Sequence, residues 1–124
     1  MHLVQDCEDV FSGRKPGYIY SRVGNPTVAQ LEAQLTGLEE GLGTVCFSSG
    51  MAAISAILDA LLEPGDHLIS TATMFSGVYY LLEEYAKQFN VSITYVKSTD
   101  LEGFEAAFQE GTKAIFAESI GNPI

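Results

Sequence analysis

From Asn25 onward the chain alternates between stretches whose apolar residues recur at helical spacing and short β-prone runs, with a turn signal at each boundary. Asn25-Pro26 offers a helix N-cap followed by proline at the first helical position, and Val28, Leu31, Leu35 and Leu38 keep helical spacing until Gly41 and Gly43 stop the pattern. Thr44 to Phe47 is short and β-prone, Ser48-Ser49-Gly50 is a tight turn, and Met51, Ile54, Leu58 and Leu61 share a helical face that ends at Pro64-Gly65-Asp66. His67 to Thr71, Val91 to Val96 and Lys113 to Ala117 follow as predicted strands. Between them lie predicted helices over Gly77 to Gln88, with Val78, Leu81, Leu82 and Tyr85 inward, and over Leu101 to Glu110, stopped by Gly111. Strands separated by helices of about ten residues predict βαβ units and an α/β fold with a mostly parallel sheet.

Ahead of this alternation, Met1 to Ile19 shows no sustained period and contains Gly13, Pro16 and Gly17, so residues 1–19 are expected to form an extended N-terminal arm. Residues 20–124 are then one domain. The chain stops at Gly121-Asn122-Pro123-Ile124, a polar turn after a strand where the next helix of an α/β domain is due, so the expectation is a truncated domain.

Sixteen acidic against six basic residues leave a formal net charge of −10, which repels phosphate backbones and anionic leaflets and removes nucleic acids and membranes as partners. The most apolar stretch, Met51 to Leu62, is interrupted by Ser55 and Asp59 and falls short of the roughly 20 apolar residues a bilayer requires, so it is expected to be a buried helix. Asp6, Glu8 and Asp9 stand where an export signal carries cations, which points to a cytoplasmic protein. Cys7 and Cys46 have no CxxC or CxxH neighbours; they are expected to be free thiols, and no metal site is expected.

No Lys or Arg occurs between Val23 and Ala86. An anion bound by that stretch must therefore draw on backbone N–H groups at a helix start or on a side chain supplied from elsewhere. The segment from Thr44 to Ala53 has the form of such a cradle: a small hydroxylated turn, a glycine that lets a ligand approach the backbone, and a helix whose free N–H groups face the turn. It is neither a GxGxxG fingerprint nor a P-loop, and the plainer alternative is that Ser48 or Ser49 caps a helix. Tyr20 and Arg22 precede the first amphipathic helix, where the guanidinium suits a phosphate or, alternatively, a surface salt bridge. Glu118 and Asn122 follow the last strand, at the carboxyl end of the sheet where open α/β folds bind ligands, though Asn122 also fits an ordinary Asn-Pro turn. Phe75 lies in the loop after the His67 strand, placed to stack on a flat ligand or to plug the core. His67, at a strand start with no second metal ligand nearby, is expected at the surface.

Taken together, Tyr20-Ser21-Arg22, Asn25-Pro26-Thr27, Ser48-Ser49-Gly50-Met51-Ala52, Pro64-Gly65-Asp66 and Glu118-Ser119-Ile120-Gly121-Asn122-Pro123 resemble, in order and spacing, the amino-terminal part of the Cys/Met-metabolism family of pyridoxal 5'-phosphate (PLP) enzymes. That family includes cystathionine γ-synthase, methionine γ-lyase and the O-acetylhomoserine and O-succinylhomoserine sulfhydrylases. The resemblance implies part of the large domain of an aminotransferase-like fold type I enzyme, with PLP at the carboxyl end of the sheet. It implies that Gly50 and Met51 give backbone N–H groups to the cofactor phosphate, that Ser49 shapes their turn, and that Tyr20 and Arg22 reach the phosphate of a neighbouring subunit in a homotetramer with shared sites. Phe75 matches the aromatic ring stacked on the pyridine, Asn122 the contact to the ring's 3-oxygen, and Glu118 a supporting position.

Many members have tyrosine where this chain has Phe75, which tilts the expectation toward a sulfhydrylase making a γ-replacement on an O-acyl-homoserine with sulfide or a thiol. The methionine γ-lyase and cystathionine lyase or synthase branches, acting on sulfur amino acids, are the alternatives. Lys15, Lys87, Lys97 and Lys113 match no Schiff-base lysine of the family, so no catalytic residue is assigned within the chain, and a catalytically inactive fragment is the further alternative.

Overall fold

A computed structural model of the chain describes residues 2–121. Its elements in order are α1 (His2–Phe11), α2 (Pro26–Leu38), α3 (Gly50–Leu61), β1 (His67–Thr71), α4 (Ser76–Phe89), β2 (Ser92–Val96), α5 (Leu101–Ala107) and β3 (Thr112–Phe116). They fall into two compact units, the first ending at Cys46 and the second beginning at Phe47. No helix among the described residues is long and apolar enough to cross a membrane.

In the first unit, the expectation of an extended arm over residues 1–19 is corrected, because α1 occupies more than half of that segment. Gly13, Pro16 and Gly17 end this helix rather than preventing it. Gly13 has φ +72, its N–H bonds Val10 O at 3.1 Å, and the Arg14 N–H reaches back to Asp9 O at 2.8 Å, a Schellman stop that a glycine in the left-handed region makes cheap. Ion pairs from Arg14 to Asp9 (2.9 Å) and Lys15 to Asp6 (2.7 Å) fold the following residues back along the helix. Helix α2 starts as its sequence dictates: Asn25 Oδ1 accepts the N–H groups of Thr27 (2.9 Å) and Val28 (3.3 Å), with Pro26 at the first helical position. Its apolar row of Val28, Leu31, Leu35 and Leu38 is exposed.

Thr44 to Phe47 is not a sheet strand, which corrects the second expectation. A β-prone run becomes a strand only where a neighbour accepts its ladder, and here polar side chains meet it instead. The Cys46 N–H donates to Glu32 Oε1 at 2.9 Å, and Thr44 Oγ1 lies 2.8 Å from Thr36 Oγ1.

The second unit is built on a three-stranded parallel sheet in the order β2-β1-β3. The connection through α4 places β2 on one side of β1, and the return through α5 places β3 on the other. Leu68 and Ile69 of the central strand are fully buried, and Leu58, Leu68, Val78, Leu82, Tyr85 and Val91 form the core, with Leu81 packed against it. Each aliphatic side chain buried in this way contributes about 1.5–3 kcal/mol. The inward face predicted for α4 is the observed one. Helix α3 is less buried than expected: Leu58 is in the core and Met51 and Ile54 pack against it, while Ile57 and Leu61 are exposed.

Helix α5 stops at Ala107, short of Glu110, because Thr112 captures the chain ahead of Gly111. The Gln109 N–H donates to Thr112 Oγ1 at 3.0 Å, and the Thr112 N–H returns to Gln109 O at 3.1 Å. Gly111, at φ +88, turns the backbone so that its carbonyl accepts the His67 N–H at 2.9 Å.

His67 is corrected from a surface to a core residue, at 1% exposure. As the first residue of the central strand it is covered from both sides. Its Nδ1 lies 2.8 Å from Thr112 Oγ1 on β3 and its Nε2 lies 2.9 Å from Thr94 Oγ1 on β2, so one ring ties the three strands together. Each ring nitrogen thus has a threonine hydroxyl as partner, which a buried imidazole needs when it leaves water.

Candidate functional site

The turn that opens α3 has the geometry of an anion cradle. Ser49 is extended (φ −156, ψ 158), and its Oγ accepts the Ala52 N–H at 3.1 Å while its carbonyl accepts the Ala53 N–H at 3.1 Å. The N–H groups of Gly50 and Met51 then remain without an acceptor among the described residues. No acidic side chain occupies the first turn of the helix, so nothing cancels the positive end of its dipole. A Cβ added at Gly50 would meet nothing within 4 Å, so the turn is open beside that residue. Ser49 is therefore the helix cap that the plainer reading anticipated, and by capping at Ala52 it frees the two preceding N–H groups for an external anion. The donor set and the open approach fit a phosphate such as that of PLP.

At the carboxyl end of the sheet, the segments that leave β1 and β3 converge. Phe75 is the N-cap residue of α4, and its side chain makes no capping bond. Its backbone N–H instead donates to the carboxylate of Glu118, at 3.1 Å to Oε1 and 3.2 Å to Oε2. The Phe75 ring is 43% exposed, which rules out its use as a core plug. Sequence patterning assigned Phe75 and Glu118 to the same end of the sheet, and the structure brings them into direct contact. Met51 and Met74 both pack against the core of this unit.

Within the first unit, Tyr20 and Arg22 lie on one turn closed by the Val23 and Gly24 N–H groups on Tyr20 O, at 2.9 and 3.0 Å. The Arg22 guanidinium stands over the Tyr20 ring, 5.4 Å from its centre. Among the described residues Arg22 makes no salt bridge, so the alternative of a surface ion pair is not found. Asn122 lies outside the described residues. Gly77 was missed by sequence reasoning as anything but a helix start: a Cβ there would lie 2.5 Å from Phe75 Cε1. The only sequence signal is a helix-destabilising residue two places after an aromatic one.

Over residues 2–124 the chain matches the family described as Cys/Met metabolism PLP-dependent enzyme. It is 38% identical over 119 residues to an O-succinylhomoserine sulfhydrylase of Pseudomonas aeruginosa, covering 96% of this chain and 30% of that protein. It is 36% identical over 113 residues to an L-methionine gamma-lyase of Fusobacterium nucleatum, covering 91% of this chain and 29% of the relative. Among solved structures, a putative O-acetylhomoserine (thiol)-lyase of Campylobacter jejuni carrying N'-pyridoxyl-lysine-5'-monophosphate superposes with a TM-score of 0.80 and 32% identity, over 97% of this chain and 30% of that one. The chain thus spans less than a third of the length of each of these proteins.

Proposed function

The chain belongs to the Cys/Met-metabolism family of PLP-dependent enzymes, and from that membership we propose that it is the amino-terminal part of an enzyme making a γ-replacement on an O-acyl-homoserine with sulfide or a thiol. Its fold is the α/β parallel-sheet fold of the type I PLP enzymes. The observation that carries the cofactor assignment is the turn at Ser49, Gly50 and Met51, with two N–H groups that have no acceptor among the described residues.

When bound, PLP supplies an electron sink for charge developing at the substrate's α-carbon. The chain's residues then divide the work of holding it. The Gly50 and Met51 N–H groups take the phosphate, and Ser49 keeps the turn in shape. Tyr20 and Arg22 serve the phosphate of a neighbouring subunit in a homo-oligomer, which supplies the cation absent between Val23 and Ala86. Phe75 covers the pyridine face, and Asn122 contacts the ring's 3-oxygen, on the strength of its motif. Phe75 has no hydroxyl, so no proton passes between residue 75 and the leaving group. That loss supports the sulfhydrylase branch over the lyases.

Titration with PLP, followed by absorbance, tests the assignment. Gly50→Val is expected to weaken binding at least about tenfold, by placing methyl groups in the anion's approach. The denaturation midpoint should hold, since nothing among the described residues lies within 4 Å of a Cβ placed there. Equal affinity in the variant and the parent would remove the cradle. Assay of the complete enzyme with sulfide and O-acetylhomoserine, against methionine or cystathionine alone, separates the branches; release of a thiol from methionine alone at the higher rate would move the protein to the lyase branch.

A further inference from the structure

Phe75 is an exposed ring that neither core packing nor a side-chain cap holds in place, yet two neighbours define its position. Glu118 fixes its main chain: both carboxylate oxygens lie within 3.2 Å of the Phe75 nitrogen, across 43 residues of sequence. A charged acceptor on a backbone N–H is the stronger kind of hydrogen bond, and it joins the end of β3 to the start of α4. Gly77 fixes the ring. A Cβ at that position would stand 2.5 Å from Cε1, 3.1 Å from Cδ1 and 3.2 Å from Cζ, so the Cε1 side of the ring occupies the space that glycine leaves. Gly77 has no positive φ to explain it. It stands in the first turn of α4, so the ring's position is the reason on hand for its presence.

We infer that Glu118 and Gly77 are positioning residues for Phe75, the carboxylate setting its backbone and the missing Cβ setting its ring, so that an aromatic face is held ready at the carboxyl end of the sheet for a flat, charged heteroaromatic ligand. The identity of that ligand rests on the PLP reading above; the clamp itself does not. Glu118 acts here through Phe75, whose N–H it holds. The Val78 and Tyr79 N–H groups bond the Phe75 carbonyl at 2.9 and 3.2 Å, so both the N–H and the C=O of this residue are held and only the ring's rotation is left for Gly77 to settle.

The test uses the isotope-labelled chain and its Glu118→Ala, Glu118→Gln and Gly77→Ala variants, with amide exchange at Phe75 and the nuclear Overhauser contact between the Phe75 ring and residue 77 as readouts. Glu118→Ala should speed exchange of the Phe75 amide at least about tenfold. Glu118→Gln, whose amide oxygen still accepts, should restore most of the protection, which a general loosening of the loop would not. Gly77→Ala should change the ring contact and ring shifts while leaving the Phe75 amide protected. Unchanged Phe75 exchange in Glu118→Ala, or an unchanged ring contact in Gly77→Ala, would overturn the inference. Adding PLP to the parent chain separates the two readings: variant effects as above with no movement of the Phe75 ring resonances would leave the clamp standing and sink the cofactor assignment.

Discussion

The two ends of the central strand β1 are joined to their neighbours by ionisable side chains used in opposite ways. At the amino end, His67 is sealed at 1% exposure and both ring nitrogens are bonded to threonines of the flanking strands. At the carboxyl end, Glu118 holds the backbone of a residue whose own ring faces outward. A buried, fully bonded group stabilises and offers nothing to a ligand; a half-open one orients a ligand face and adds little to stability. Parallel strands enforce this division, since every strand presents its carboxyl end on the same side and the loops that follow are free to vary.

The largest expected effect breaks the amino end. His67→Ala removes the ring partner of both threonine hydroxyls, leaving Thr112 only its bond from the Gln109 N–H, and opens a cavity, and should cost about 3 kcal/mol in chemical denaturation. A loss below about 1 kcal/mol would mean that the three strands do not depend on the ring.

Next is Tyr85, which is 6% exposed and whose hydroxyl donates to Asp59 and to Ser55 O. Tyr85→Phe should cost about 1–2 kcal/mol at neutral pH. Burial first, and then the hydrogen bond to Asp59, pushes this phenol above its ordinary value. The unfolded chain therefore releases the proton near pH 10 while the native state still holds it, so the stabilisation is whole below about pH 10 and is lost as the pH rises beyond that. Tyr95, raised by burial and by its bond to Glu83, acts in the same direction. Stability measured from pH 8 upward should fall above about pH 10, and less steeply in Tyr85→Phe; equal slopes would show that the phenol titrates alike in both states.

Removing the cap with Ser49→Ala should cost about 1 kcal/mol and also weaken PLP binding, because the same oxygen organises the turn. The smallest stability effect is expected at the open end. Phe75→Leu should lower stability in chemical denaturation by about 0.5 kcal/mol or less. PLP affinity should fall by more than that, and a stability loss as large as that of His67→Ala would erase the contrast between the two ends.

Local chemistry carried by adjacent residues was legible without coordinates. Asn25-Pro26 starts a helix, Ser49 caps one, and Val78, Leu82 and Tyr85 face inward, because caps, periodicity and turns depend on neighbours in sequence. The helical run before Gly13 was also present in the sequence, at Val4, Cys7, Val10 and Phe11, but the glycines and proline beyond it masked the pattern. What the tertiary structure alone decided are the facts that depend on which segments meet. His67 is buried because β2 and β3 close over it, Thr44 to Phe47 stays out of the sheet because no ladder receives it, and Glu118 finds the Phe75 N–H across 43 residues. A side chain's environment is set by partners distant in sequence, and a single position's residue type carries no record of them.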